Sequence, residues 1–162
     1  MADIVLKVKI EGLERVRSKL ERRNLWEKPV RRLLEKAAKV IEFRAKEKAP
    51  VDTGRLRAAI GSQVLVSRLT AVVEVAAHVH YGAYVEYGTR PHFPPLAAMQ
   101  PWARRHGFPV GRKGAFLLAL VISRRGTKPH PYMRPAAEQS VGDLERFARD
   151  AAAEIKENWQ RG

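Results

Sequence analysis

The chain has 162 residues, 45% of them hydrophobic and 30% charged, enough to enclose a core without metal or disulfide staples. It contains no cysteine, which excludes a disulfide framework, a thiolate nucleophile and any zinc site built on Cys ligands. The net charge of +14 is unevenly spread: residues 1–50 carry 15 basic and 8 acidic side chains, residues 51–133 carry 11 and 3, and residues 134–162 carry 5 and 6. The middle region has few internal partners for its cations, so it should present positive potential to something anionic, either nucleic acid or an acidic protein surface.

The first ten residues, MADIVLKVKI, lack the basic start and apolar stretch of a signal peptide. No run reaches the roughly 20 apolar residues of a membrane span, so the expected setting is the cytoplasm of the producing cell, with no membrane partner. Ile4, Leu6, Val8 and Ile10 alternate with other residues at the period of a half-buried strand. Leu13, Val16 and Leu20 keep helical spacing in a charged segment, and Asn24 marks a break. Pro29 suits the first turn of a longer helix, along which Val30, Leu34, Ala37, Ile41 and Ala45 form one apolar stripe. Pro50 ends that helix by disfavouring helical geometry at Ala49.

A tight turn at Asp52, Thr53 and Gly54 should follow, with a short helical turn over 55–59. The β-branched stretches 63–66 and 71–76 predict a hairpin with its tip at 67–70, and Tyr84 to Tyr87 predicts a further short strand. Helices are expected over 96–106 and 115–124, an extended proline-rich segment over 127–135, and a last helix on which Ala137, Val141, Leu144, Ala148, Ala151, Ile155 and Trp159 recur. The class is α+β: a small, mostly antiparallel β-sheet packed against a long central helix and a long C-terminal helix.

Three stretches join backbone-defining residues to charge: APVDTGRLR at 49–57, YVEYGTR at 84–90 and RGTKPHPYMRPA at 125–136. In order and spacing they resemble the tail-completion or head-tail joining family of long-tailed bacteriophages. There a helix runs into "AP-DTG-LR", a strand carries "YVE-GT", and "P-PF-RPA" opens the final helix; Tyr132 stands at the aromatic position here. The resemblance implies one tail-completion-like domain over 1–162, with a helical insertion at about 95–125. It also implies a virion protein of the tail or neck, made in the host cytoplasm, without catalysis or cofactor. Such a subunit joins copies of itself in a ring, usually sixfold, and can remain monomeric until a template is present. Its other partners are the tail tube or terminator and the head connector, with non-specific contact to genomic DNA in the lumen.

The residues expected to serve assembly are Asp52, Gly54, Arg55, Arg57, Glu86, Tyr87, Gly88, Arg90, Lys128, Pro131, Tyr132 and Arg134. Asp52 and Gly54 should fix a turn, Arg55 and Arg57 offer cations, Gly88 allow a reversal, and Pro131 and Pro135 hold the lead-in to the last helix, while Arg55, Arg90, Phe93 and Tyr132 are candidate anchors. Glu86 is expected to pair with an arginine such as Arg90.

Sharper chemistries fit less well. His78 and His80 would share one face of a strand, with His92 further along, but no carboxylate stands beside them at ligand spacing. Asp52, Glu74 and Glu86 are isolated among cations, which leaves no carboxylate pair for hydrolysis, and Gly107, Gly111 and Gly114 lack the spacing of a phosphate loop. The alternative from a different class is a basic module binding nucleic acid non-specifically, which the charge permits and no recognisable DNA-reading motif supports.

Overall fold

The computed structural model describes residues 5–9, 26–66 and 71–161. The helix expected over 13–20, the break at Asn24 and the hairpin tip at 67–70 lie outside the described residues. The chain forms two compact units, one from Met1–Gly82 and Pro131–Gly162, the other from Ala83–His130.

In the first unit, β1 (Val5–Lys9), β2 (Ile60–Val66) and β3 (Ala71–Ala77) form an antiparallel sheet of order β1-β3-β2. The central strand carries the core: Ala71, Val73, Val75 and Ala77 are buried at the period of two, and Val72 and Glu74 are only partly so. The register sets Glu74 opposite both Lys7 and Gln63. Its carboxylate accepts a hydrogen bond from Gln63 Nε2 at 2.7 Å and lies 3.7 Å from Lys7 Nζ, so one polar rung crosses all three strands.

The helix α1 (Glu27–Lys48) packs on β2 and β3. Val30, Leu34, Ala37, Ala38, Ile41 and Ala45 are its buried stripe, and burying Leu34 and Ile41 contributes about 2 kcal/mol each. Glu27 in the first turn and Lys46 and Lys48 in the last complement the helix dipole. Ala49 turns extended, with ψ 125°, because Pro50 follows it.

Glu42 ties α1 to the sheet. Its carboxylate pairs with Lys46 one turn along and accepts a hydrogen bond from Ser62 Oγ on β2 at 2.6 Å. Burial by itself raises the carboxyl's pKa, but the hydrogen bonds from Lys46 and Ser62 and the charges of Lys46 and Lys39 outweigh it, and the pKa falls below 4.5. A group lowered in the folded state stabilises fully above its unfolded pKa, and that contribution disappears as pH falls through the folded value. Urea titrations from neutrality down through the carboxylate range should therefore show a steeper acid loss for the parent than for Glu42→Gln. At neutral pH the variant should be about 1 kcal/mol less stable. Parallel acid profiles would exclude the tie.

The last helix, α6 by chain order (Met133–Arg161), lies along α1. Arg44 of α1 reaches Asp143 Oδ2 at 2.5 Å, Ser140 Oγ at 2.9 Å and the Gln139 carbonyl at 2.9 Å, while Arg32 meets Glu154 at 3.0 Å. The buried face is Met133, Ala136, Ser140 and Ala151, with Leu144, Phe147 and Ile155 half-buried. Of the stripe that the apolar spacing predicts, Leu144, Ala151 and Ile155 face inward, and Val141, Ala148 and Trp159 are exposed. The inward face is rotated because it includes polar residues that are satisfied there. Ser140 donates to the Ala136 carbonyl at 2.7 Å and accepts from Arg44, and a count of apolar positions misses it.

Between sheet and loops run α2 (Arg55–Ala59), at the expected position, and α3 (Gly82–Tyr87), where a strand is predicted. Tyr84, Val85 and Tyr87 favour strands only weakly over so short a span, and local context made the segment helical instead. His78 and His80 fall beyond the end of β3 and are exposed, so strand alternation does not align them.

The second unit holds α4 (Leu96–Arg105) and α5 (Arg112–Arg125), a helical hairpin whose centre is Ala103, Leu118 and Ile122 with Met99 and Phe108 against them. Trp102 stacks on His106 with ring centroids 3.9 Å apart, which seals the turn between the helices. Both helices match the expected segments, α5 starting three residues earlier than its apolar run.

Candidate functional site

The three motif stretches divide between the units. In the first unit, 49–57 runs from α1 into α2. Gly54 has φ 77°, and its carbonyl accepts from the Ala58 amide at 2.9 Å, closing the first turn of α2. Leu56 is buried and holds the turn down, so Arg55 and Arg57 on either side are exposed, as is Asp52. Thr53 Oγ1 is 3.5 Å from the Arg55 amide, at the limit of a hydrogen bond.

In the second unit the structure brings two stretches together. Thr89 and Thr127 form an isolated antiparallel bridge: Thr89 N–H donates to the Thr127 carbonyl at 3.1 Å, and Thr127 N–H donates to the Thr89 carbonyl at 3.2 Å. Their hydroxyls lie 3.1 Å apart, and the Thr127 amide is shared with Thr89 Oγ1 at 3.1 Å. Each threonine follows a glycine of positive φ, Gly88 at 70° and Gly126 at 69°. A Cβ on Gly88 would lie 2.4 Å from the Thr127 carbonyl oxygen, and one on Gly126 would lie 1.9 Å from that of Thr89. The two Gly-Thr pairs therefore approach at a distance that only glycine allows. The His130 amide donates to the Val85 carbonyl at 2.7 Å, extending the clasp to α3.

The clasp holds out Arg90 and Lys128, both exposed, one residue beyond each threonine. Tyr87, 72% exposed, precedes Gly88. Phe93 beyond the loop meets Phe116 of α5 at 6.1 Å between ring centroids, and both remain half-exposed. Glu86 is only 2% exposed, so it belongs to the interior rather than to the loop tip.

The third stretch then returns to the first unit. Pro131 is exposed, but Tyr132 is fully buried, its hydroxyl donating to the Gly82 carbonyl at 3.4 Å. Tyr132, a candidate anchor, has its ring in the core. Arg134 is exposed 3.8 Å from Glu138, and Pro135 sits in the first turn of α6, where its missing N–H costs nothing. Unanticipated from the sequence are Phe116, Leu117 and Val121 on the outer side of α5 and Val141 and Trp159 on α6, all 40% or more exposed. The apolar run 115–122 was the available signal for the first three, since eight consecutive apolar residues surround a helix and cannot all face one core.

Among the described residues no three His, Asp or Glu side chains are grouped to hold a metal ion, and no helix is long and apolar enough to cross a membrane. What the surface offers is loops turned by glycine and proline, cations and exposed aromatic rings, the materials of a protein contact.

Residues 12–88 match the family model described as "Bacteriophage HK97-gp10, putative tail-component". Over that stretch the chain is HK97-gp10-like, in agreement with the tail-completion resemblance of its motifs. The match covers less than half of the chain; it takes in α1, the 52–54 turn, the β2-β3 pair and α3, and ends at Gly88. No curated protein and no solved structure matches the chain. The third motif stretch lies outside the HK97-gp10-like region and is joined to it physically, through the close approach of Gly88 to Thr127.

Proposed function

We propose that this protein is a structural tail subunit that assembles as a ring at the head-proximal end of a phage tail and joins the tail to the head connector. The match of 12–88 to a phage tail-component family carries the reading. Exposed rings support it: Phe93 and Phe116 stand half-exposed side by side, and Tyr87 precedes the clasp 72% exposed. A ring needs two different faces on each copy, and the 52–57 turn in one unit and the Gly88–Thr127 clasp in the other are the two rigid loop systems we assign to them. On this reading the chain is one tail-completion domain over 1–162 with residues 95–125 as its insertion, and it performs no catalysis.

The test is negative-stain microscopy of particles made by a phage deleted for this gene, with and without added purified protein. Filled heads and separate tails that join when the protein is supplied are the expected result. Normal particles without the protein would rule out the joining role.

A further inference from the structure

We propose that the Ala83–His130 unit binds the phosphate backbone of double-stranded DNA, independently of sequence, through two clusters of exposed cations at opposite ends of its helical hairpin. Arg104 and Arg105 close α4 and Arg112 and Lys113 open α5, so the turn between the helices gathers these four at one end. Arg124 and Arg125 close α5 at the other end, where the Thr89–Thr127 bridge places Arg90 and Lys128 beside them. All eight are exposed, and they are the only Lys and Arg residues of the unit. Its one acidic residue is Glu86, which is buried, so the surface of this unit has eight cations and no exposed carboxylate.

Local stability does not account for this. Cations at the C-terminal ends of α4 and α5 are favoured by the helix dipole, but Arg112 and Lys113 stand at the positive end of α5, where the dipole opposes them. Eight like charges also repel one another, which an external anion relieves. A protein contact would have to strip water from any of these charges that fell at its centre, where charge is depleted, although arginine itself is common at interfaces. Phosphates stay hydrated and release condensed counterions when cations approach, so the same surface binds DNA at little desolvation cost. Lys113 and Arg124 are eleven residues apart, on one face of α5 and about 16 Å along it. With their long side chains they reach the phosphate rows on both sides of a major groove about 12 Å wide.

The experiment is fluorescence anisotropy of a labelled short duplex of random sequence with the full-length protein, at several salt concentrations. With about six phosphate contacts, affinity should fall roughly 10³-fold between about 50 and about 200 mM salt. The triple variant Arg104→Gln, Arg112→Gln and Lys113→Gln should bind about tenfold or more weakly at low salt and flatten the log–log salt slope by about 2–3. Arg90→Gln, Arg124→Gln and Arg125→Gln should do the same from the other end, and replacing the clusters separately lets either variant decide if the other fails to fold. The control Lys28→Gln, Arg31→Gln and Lys39→Gln removes three exposed cations of α1 and should change affinity by less than about twofold. An equal loss in the control would make the effect one of net charge and overturn the proposal. So would unchanged affinity in both cluster variants, or competition by poly-glutamate as effective, charge for charge, as unlabelled duplex.

Discussion

Gly126→Ala is expected to lower stability by about 3 kcal/mol and to open the second unit specifically. Gly126 has φ 69° and ψ −159°, a region that essentially only glycine occupies, and it also ends α5 by donating its amide to the Ile122 carbonyl at 2.8 Å. The added methyl would meet the Thr89 carbonyl oxygen at 1.9 Å, a backbone atom that cannot swing aside without breaking the bridge. Gly54→Ala is the internal comparison. Gly54 has φ 77° and ψ −8°, ordinary left-handed geometry, and a Cβ there meets nothing within 4 Å, so it should cost only about 1–2 kcal/mol. Hydrogen exchange by mass spectrometry reads the difference: Gly126→Ala should deprotect the Thr89 and Thr127 amides and leave β3 protected. The close approach of the two loops would be refuted by equal costs at the two glycines with the Thr89 amide still protected.

That clasp also marks where the sequence stops being legible. Both halves are visible as Gly-Thr followed by a cation, and both were singled out, but their pairing joins residues 38 apart and no local pattern encodes it. Local patterns did well where one face is buried and chemistry ends the element. The stripe from Val30 to Ala45 and the stop at Pro50 describe α1, and the β-branched run 71–76 describes β3. They failed where burial was polar or the segment short. Ser140 is invisible to an apolar count, so the apolar stripe matches the inward face of α6 only in part, at Leu144, Ala151 and Ile155, and three strand-favouring residues, Tyr84, Val85 and Tyr87, are too few to resist a helical turn. The cations of the motifs were placed outside, and the structure puts Arg55, Arg57, Arg90, Lys128 and Arg134 there. Glu86 and Tyr132 went inside because a turn motif shows that the chain bends and not which side chain the bend carries inward.

Tyr132 gives the second large effect and separates a structural from an interfacial reading of the third motif. Among the described residues it is the largest fully buried side chain, and with Met133 and Ala136 it seats the start of α6 in the core. Tyr132→Ala removes a whole ring from a packed site and should cost about 4 kcal/mol, read from urea or thermal denaturation. Tyr132→Phe removes only the hydroxyl, whose 3.4 Å hydrogen bond to the Gly82 carbonyl is long, and should cost less than about 1 kcal/mol. The pair gives opposite expectations for assembly. If the ring acts through the fold, Tyr132→Phe joins heads to tails normally, and Tyr132→Ala fails in proportion to its unfolded fraction. A Tyr132→Phe protein of unchanged melting temperature that no longer joins particles would instead assign the hydroxyl to a partner, which requires Tyr132 to leave the core during assembly. The burial observed here argues against that, because exposing the ring forfeits about 1.5–3 kcal/mol of apolar burial that a single weak hydrogen bond does not return.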